Sequence, residues 1–188
     1  MVSKQVPQVD IAKILAHKQA PYEITLTDKA AILYSLGIGF SRDPMNRDDF
    51  KFTYEFDSDF RPFPTNAVTI AQVSEASFRV PGLPDFNPMM LLHGEEDVYF
   101  HKPLAKGTTY VIQESIADIQ DKGKGALLIC KAELFEKDTK QLAAVCQASL
   151  FIRGLGGFGY KGTLKSQVPA NMPKRPADFT GEEKTMPN

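Results

Sequence analysis

The sequence predicts an α+β fold in which a curled antiparallel sheet of about five strands wraps around a central buried helix. Residues 64–80 predict the helix, because small or apolar side chains occupy almost every side of it, as is typical of a helix buried all round. Residues 97–153 predict most of the sheet, because they hold long strand-forming runs separated by short connections. Such connections favour antiparallel pairing.

Sequence signals bound the central helix at both ends. Pro64 suits a first helical turn, and Thr65 or Asn66 is a suitable N-terminal cap. Pro81 and Gly82 end the helix. Several β-branched residues lower its intrinsic propensity, so we expect its stability to come from the sheet around it.

The predicted strands stand on both sides of this helix in the chain. The run at residues 50–56 alternates apolar and polar side chains, which is the pattern of a half-buried strand. Four further strands follow the helix, at residues 97–102, 108–119, 125–137 and 141–153. Consecutive strands are expected to pair as hairpins, and long antiparallel strands curl. This is the hot-dog architecture, which we prefer to a β-sandwich because a sandwich has no place for a buried helix.

Two shorter helices are predicted before the sheet. Residues 28–37 form the clearer one, with Thr27 as its cap and Gly37 as its left-handed end. Three of its apolar side chains are expected to face the core: Ile32, Leu33 and Leu36. Residues 11–15 predict one or two turns of peripheral helix.

Composition narrows the class of function. A chain of 188 residues with 43% hydrophobic residues favours one domain with one core. A net charge of −1, with both signs scattered along the chain, argues against a nucleic-acid partner. No apolar run is long enough for a signal peptide or a membrane span, so we expect a soluble intracellular protein.

Cysteine and histidine usage predicts neither a disulfide nor a metal site. Cys130 and Cys146 lie in apolar strand-like runs and are expected to be free thiols in the core. The histidines His17, His93 and His101 have no CxxC, HxxxH or carboxylate cluster beside them. No metal and no cofactor are predicted.

A glycine-rich run at residues 154–159 matches the dinucleotide-binding pattern G-x-G-x-x-G. That fingerprint needs a helix N-terminus and a second parallel strand, whereas a proline-rich tail follows here. We therefore interpret the run as a glycine-rich bend that ends the sheet.

Three positions are open to a structural or a functional interpretation. His93 and Gly94 could present an imidazole edge and a backbone N–H to a ligand, or His93 could bond to a nearby carbonyl. Lys122 stands in a hairpin turn, where it serves solubility or meets a phosphate. Glu55 follows the predicted first strand, where a carboxylate is most often a surface group. No paired carboxylates and no Ser-His-Asp arrangement accompany them.

Eight short segments carry a family resemblance, in this order: YSLGIG at 34–39, FKFTYE at 50–55, FPT at 63–65, PGL at 81–83, LHGE at 92–95, KPL at 102–104, DIQDKG at 118–123 and GGFG at 156–159. Together they resemble the N-terminal half of the peroxisomal-type 2-enoyl-CoA hydratase 2 family. These (3R)-specific MaoC-like dehydratases also form the hydratase part of multifunctional β-oxidation enzymes.

The resemblance implies a pair of hot-dog domains, of which the first takes the acyl chain. The second carries the motif Gly-Asp-x-Asn-Pro-Leu-His, whose Asp and His activate the water. This motif is absent from the sequence, and residues 41–46 echo it only superficially. We therefore expect an N-terminal extension at 1–22, a hot-dog domain at 23–160, and a linker at 161–188 that leads to a second hot-dog.

By the same resemblance, His93, Gly94 and Lys122 contact the CoA ester, and Glu55 has a supporting catalytic role. The chemistry is suitable. A backbone N–H can donate a hydrogen bond to the thioester or pantetheine, an ammonium group can bind a CoA phosphate, and a carboxylate can take part in a hydrogen-bond network. The CoA ester is the substrate in this interpretation.

Two functions from different classes follow. The first is the acyl-CoA-binding half of a (3R)-specific 2-enoyl-CoA hydratase of fatty-acid β-oxidation, inactive alone. The alternative is a non-enzymatic hot-dog subunit with an assembly role in a larger complex. A hot-dog thioesterase is disfavoured, because Glu75 is the one carboxylate on the predicted helix and stands near its exposed end. In each case a second hot-dog, in the same chain or another, or a homodimer, should cover a sheet edge. The resemblance favours the peroxisome, with mitochondrion and cytosol as alternatives.

Overall fold

The structure is a computed structural model that describes residues 8–71, 79–164, 173–182 and 184. The helices among these residues are α1 (Ile11–Ala16), α2 (Asp28–Gly37), α3 (Phe50–Thr53) and α4 (Ala67–Ile70). The strands are β1 (Tyr22–Thr25), β2 (Leu91–Phe100), β3 (Thr109–Asp121), β4 (Gly125–Glu136) and β5 (Leu142–Arg153). Single 3-10 turns occupy Arg47–Asp49, Pro64–Asn66 and Pro88–Met90.

The strands form one antiparallel sheet in the order β1-β3-β4-β5-β2. The predicted hairpins β3–β4 and β4–β5 are confirmed. The expected hairpin between β2 and β3 is wrong, because β2 crosses over to pair with β5 at the far edge. Strands β1 and β2 are therefore the edges of the sheet.

The strand predicted at residues 50–56 is wrong. Phe50 begins the short helix α3, and Phe52 is buried against Phe40 and Phe63, with ring centroids 4.9 and 5.2 Å away. The first strand is instead β1, four residues that pair with the start of β3. Local aromatic packing thus decided the conformation of a segment whose alternation suited a strand.

The predicted central helix at residues 64–80 is only partly observed. The chain makes one 3-10 turn from Pro64 and then α4, which ends at Ile70 within the described part. Residues 72–78 lie outside the described residues. Ala67 and Ile70 are buried, whereas Thr69 is exposed, so this stretch is not buried all round.

Helix α2 forms where it was predicted, but its orientation differs from the prediction. The Thr27 hydroxyl caps it by accepting the Ala30 N–H at 3.2 Å, as expected. Ile32 packs on the core as predicted, but Leu33 and Leu36 face outward, with 58% and 46% of their surface exposed. The small residues Ala31 and Ser35 are buried instead. Gly37 is the last helical residue, and the left-handed glycine is Gly39, at φ +102°.

The core divides into two clusters at opposite ends of the sheet. One cluster includes α4, the start of β3 and the end of β4, centred on Tyr110, Ile112 and Leu134. The other includes Ile14 of α1 and surrounds the end of β3 and the start of β4. We name them the Tyr110 cluster and the Ile14 cluster.

The cysteines lie in the core as free thiols, as predicted. Cys130 on β4 and Cys146 on β5 are both buried. Burial raises the pKa of each thiol to about 12, and Glu96 adds to the effect on both. Neither thiol is ionised near neutral pH, which makes them poor nucleophiles.

Candidate functional site

His93 and Gly94 lie at a bulge in the edge strand β2. The register with β5 shifts between His93, which faces Leu150, and Glu95, which faces Ser149. Gly94 is the extra residue, and a Cβ there would stand 3.3 Å from the Ser149 carbonyl oxygen. Bulges often redirect a side chain or backbone group toward a ligand at the rim of a sheet.

The His93 imidazole is held by its own strand. Its Nε2 lies 3.0 Å from a Glu96 carboxylate oxygen and 3.1 Å from the Glu95 carbonyl oxygen. The side chain remains 55% exposed. Burial raises the pKa of the Glu96 carboxyl, and the neighbouring His93 opposes that rise. Both sequence interpretations of His93 therefore remain compatible, since a carbonyl contact and an accessible ring coexist.

Lys122 stands in the tight turn between β3 and β4. Its backbone N–H donates to the Gly125 carbonyl at 2.9 Å, while Lys122, Gly123 and Lys124 are exposed. Asp121 and Gly125 on either side are buried. The turn thus presents ammonium groups from a well-fixed base.

The sheet register brings the bulge and the turn to the same end of the sheet. His93 pairs with Leu150, which pairs with Leu128 on β4, three residues beyond Gly125. Two strand spacings across the sheet and a few residues along it place the bulge and the turn roughly 15 Å apart. An extended ligand could touch both.

A cleft of about 760 Å³ opens beside the loop that leads into β2. It is lined by Arg79, Val80, Leu83, Pro84, Asp85, Phe86 and Pro88. Val80 belongs to the Ile14 cluster, and Leu83 and Phe86 pack against it, so the cleft lies toward the same end of the sheet as the bulge and the turn. Its lining combines apolar side chains, such as Leu83 and Phe86, with the charged Arg79 and Asp85.

Glu55 lies in another part of the molecule. It is exposed in the turn after α3, and α3 packs on α2, which contributes Ala31 to the Tyr110 cluster at the other end of the sheet. The structure brings His93, Gly94 and Lys122 to one end and leaves Glu55 apart from them.

Sequence reasoning missed the carboxylate that holds the Lys122 turn. Asp121 Oδ1 accepts the backbone N–H of Gly123 at 2.7 Å and of Gly157 at 3.0 Å, and Oδ2 accepts that of Gly159 at 2.6 Å. These hydrogen bonds lower the pKa of Asp121 to about 2. An Asp two residues before a turn glycine was a visible signal for the first bond.

A second missed carboxylate, Asp118, fixes the chain farther along. Its side chain accepts the backbone N–H groups of Thr163 and Leu164, both at 2.8 Å, and the Gln120 amide at 3.1 Å. Asp118 is fully buried, and burial works against its ionisation, but these bonds outweigh it and lower its pKa. Residues 154–164 thereby cover the end of β3, a part of that strand that does not pair with β1.

The pKa values of these two carboxyls predict an acid-sensitive attachment of residues 154–164. The folded-state pKa values of both carboxyls lie below the ordinary value of 3.8. The ionised carboxylates therefore stabilise the folded state, and this contribution is present above that pH. The contribution is lost as pH falls through the folded-state values, about 2 for Asp121. We expect the difference in unfolding free energy between the wild type and Asp121→Asn to be constant from about pH 7 to 5 and to shrink below about pH 4.

Urea unfolding followed by far-UV circular dichroism across this pH range measures the difference. Asp138→Asn, in the exposed turn between β4 and β5, is the control and should leave stability unchanged at each pH. A wild-type advantage over Asp121→Asn that persists undiminished at pH 2 would contradict the prediction.

Among the residues that the structure describes, no group of three or more His, Cys, Asp or Glu side chains is arranged to hold a metal ion. No helix within the described ranges is both long and apolar enough to cross a membrane.

Comparison with known families gives a match over most of the chain. The family described as "MFE-2 hydratase 2 N-terminal domain" matches residues 24–154. The match begins within β1 and ends just after β5. It therefore includes the bulge, the Lys122 turn and both carboxylates.

Relatives carry related names. The chain is 35% identical over 178 residues to a mouse protein named peroxisomal multifunctional enzyme type 2, which covers 93% of this chain and 24% of that one. It is 29% identical over 188 residues to the Arabidopsis thaliana protein named enoyl-CoA hydratase 2, peroxisomal, which covers 93% of this chain and 60% of that one. The chain thus spans less than two thirds of either relative.

Solved structures share the fold. A MaoC-like dehydratase from Phytophthora capsici matches with a TM-score of 0.71 and 33% identity, over 91% of this chain and 59% of that one. The HadBC (3R)-hydroxyacyl-ACP dehydratase complex of Mycobacterium tuberculosis matches with a TM-score of 0.58 over 77% of this chain and 99% of that one. At 13% identity this second likeness shows the fold alone. The predicted hot-dog architecture is therefore confirmed for the five-stranded sheet, while a long central helix is not evident among the residues that the structure describes.

Proposed function

We propose a function for this chain from one premise: it belongs to the family of MFE-2 hydratase 2 N-terminal domains. We infer that it is the acyl-CoA-binding half of a (3R)-specific 2-enoyl-CoA hydratase of fatty-acid β-oxidation. In that reaction the oxygen of water bonds to C3 of a trans-2-enoyl thioester and a proton goes to C2. The chain binds and orients the thioester, and a second hot-dog supplies the groups that activate the water.

One observation carries this proposal: His93, Gly94 and Lys122 lie at the end of the sheet where the cleft opens. A CoA ester has an apolar acyl chain, a polar pantetheine arm and charged phosphates. The apolar part of the cleft, which includes Leu83 and Phe86, can receive the acyl chain. The bulge offers backbone and imidazole groups to the thioester or arm, and the Lys122 ammonium attracts a phosphate.

This sequence lacks the Gly-Asp-x-Asn-Pro-Leu-His motif, which supports placing the water-activating groups in a second hot-dog. Hydration needs a base to take a proton from water and an acid to protonate C2. Glu55 is the remaining candidate for a supporting role in this chain, and its exposed position far from the bulge suits hydrogen bonding to a second domain better than direct proton transfer.

We predict that the 188-residue chain binds crotonyl-CoA weakly, with a Kd on the order of 100 μM, and does not hydrate it. Isothermal titration calorimetry measures binding, and loss of the enoyl-thioester absorbance measures hydration. Lys122→Gln should weaken binding, because it removes the phosphate-facing charge. Lys140→Gln, in the turn at the opposite end of β4, is the matched control and should bind like the wild type.

Each measurement can refute part of the proposal. Hydration at an ordinary enzymatic rate would contradict the assignment of the water-activating groups to another domain. Absence of crotonyl-CoA binding would contradict the binding role and would favour the alternative, a subunit with an assembly role.

The edge strand β2 is the observation that keeps the assembly alternative open. Within the described residues it pairs on one side only, and Leu92, Tyr99 and Phe100 are each between 39% and 46% exposed. A ten-residue edge with apolar side chains invites pairing with another strand. We propose a second hot-dog as its partner, in the same chain, in another chain or as a second copy. Both candidate functions share this partner, so acyl-CoA binding separates them.

The domain limits and the compartment are proposals of the same kind. We propose a hot-dog domain at residues 23–160, preceded by an extension at 1–22 and followed by a linker at 161–188 toward the second hot-dog. We also propose a peroxisomal location, because the relatives that are named for a compartment are peroxisomal. Imaging of the tagged protein in its own cells would test this against the mitochondrion and the cytosol.

A further inference from the structure

The glycine-rich run at residues 154–159 is unexplained by the proposed function. It follows β5, yet it forms neither a helix nor a strand. It folds back against the turn between β3 and β4, which is more than thirty residues earlier in the chain. Its contacts there are too specific for a connecting loop alone.

The run is hydrogen-bonded to the turn at two points. The Gly154 N–H donates to the Lys124 carbonyl at 2.8 Å, and the Gly157 and Gly159 N–H groups donate to the Asp121 carboxylate at 3.0 and 2.6 Å. The same carboxylate accepts the Gly123 N–H inside the turn at 2.7 Å. Asp121 therefore joins the turn and the run through one buried group.

Gly156 provides a steric counterpart to these hydrogen bonds. A Cβ at Gly156 would lie 2.3 Å from the Gly123 carbonyl oxygen and 2.8 Å from the Gly125 nitrogen. Both are backbone atoms and cannot move aside as a flexible side chain could. The position requires glycine because the run and the turn pack backbone against backbone.

We propose that Asp121, together with Gly156, positions the Lys122 turn for the phosphate groups of CoA. This inference rests on the proposed function. The three donated N–H groups stabilise the Asp121 carboxylate in its buried position at the base of the turn, so an approaching phosphate meets the exposed Lys122 and Lys124 first. A turn fixed at its base also loses less conformational entropy on binding, which increases affinity.

The test compares two ligands that differ only in the phosphate-bearing part. Crotonyl-CoA carries the phosphates, and S-crotonyl-pantetheine lacks them. We expect Lys122→Gln to weaken crotonyl-CoA binding about 5-fold and to leave S-crotonyl-pantetheine binding unchanged. Asp121→Asn and Gly156→Ala should reproduce this selective loss by at least about 3-fold, because each disturbs a contact that holds the same turn.

Coupling between the residues distinguishes positioning from a general loss of structure. The double variant Asp121→Asn/Lys122→Gln should bind crotonyl-CoA about as weakly as Lys122→Gln alone, since Asp121 acts through Lys122.

Gly37→Ala is the control for Gly156→Ala, because a Cβ at the end of α2 meets nothing within 4 Å. Amide exchange at Gly123, Gly157 and Gly159 should accelerate in Asp121→Asn while thermal unfolding remains cooperative.

The outcomes separate the inference from its premise. If Lys122→Gln weakens crotonyl-CoA binding but Asp121→Asn and Gly156→Ala bind like the wild type, the positioning role is wrong and the proposed function stands. A parallel loss for both ligands in Asp121→Asn and Gly156→Ala also overturns it, because that indicates general damage. If Lys122→Gln binds both ligands like the wild type, the phosphate role of Lys122 fails, and this inference with it. If Asp121→Asn does not fold, Gly156→Ala alone decides.

Discussion

Asp118→Ala should be among the most destabilising single substitutions in this protein, at a cost on the order of 3 kcal/mol in unfolding free energy. The fully buried carboxylate accepts backbone N–H groups from Ile119, Thr163 and Leu164, and a side-chain N–H from Gln120. Alanine leaves the three backbone donors without this acceptor beside a small cavity, while the Gln120 amide keeps its hydrogen bond to the Leu164 carbonyl. A buried donor without a partner costs about 1–3 kcal/mol, and partial hydration of the released segment reduces the sum.

Urea unfolding at pH 7, followed by far-UV circular dichroism, measures this loss. The midpoint temperature of thermal unfolding, Tm, should fall by roughly 10 °C in parallel. Asp118→Asn keeps the volume and one acceptor oxygen, so it should lose roughly half as much, and the exposed Asp138→Asn should lose nothing measurable. An Asp118→Ala protein within about 0.5 kcal/mol of the wild type would show that this carboxylate does not hold residues 163–164 against β3.

The long strands could be predicted from sequence because their signals are local. Strands β3, β4 and β5 start and end within two residues of the predicted limits, since alternating apolar side chains and turn residues such as those at 122–124 mark them directly. Strand order could not be predicted in the same way. The pairing of β2 with β5 depends on contacts between residues far apart in the chain, such as Leu91 with Ile152.

The error at residues 50–56 has a physical origin in ambiguous spacing. Apolar residues at every second position also place Phe50 and Tyr54 four residues apart, on one face of a helix, and their rings meet edge to face at 5.9 Å. Packing of Phe52 with Phe40 and Phe63 then favours the helical turn. Over so short a segment, periodicity does not separate the two conformations.

The candidate site was predictable only in part for a related reason. His93, Gly94 and Lys122 were identified by resemblance, and the register explains why they lie at one end of the sheet. The carboxylate that supports the turn was missed, because the partners of Asp121 in the glycine-rich run are 36 and 38 residues away in the chain. The sequence displays the turn and the glycines separately and gives no sign that they pack together.

Ile14→Ala is the other substitution with a large expected effect, about 2–4 kcal/mol in unfolding free energy. Ile14 is fully buried in the cluster named after it, where α1 packs on β3. Asp10 fixes the start of α1: its side chain accepts the Lys13 N–H at 3.1 Å, and its own N–H donates to the Gly82 carbonyl at 2.9 Å. A helix tied at its start cannot shift to fill the cavity that alanine leaves.

The matched control is Leu15→Ala on the same helix, where 37% of the side chain is already exposed, and it should cost less than half as much. Urea unfolding of both variants at pH 7 gives the comparison. Equal losses would mean that helix propensity rather than burial sets the effect. A chain shortened to residues 21–188 extends the test to the proposed domain limit. If residues 8–20 contribute through Ile14, the shortened chain should be destabilised at least as much as the Ile14→Ala variant. A stability equal to that of the wild type would mean that the hot-dog domain folds without these residues.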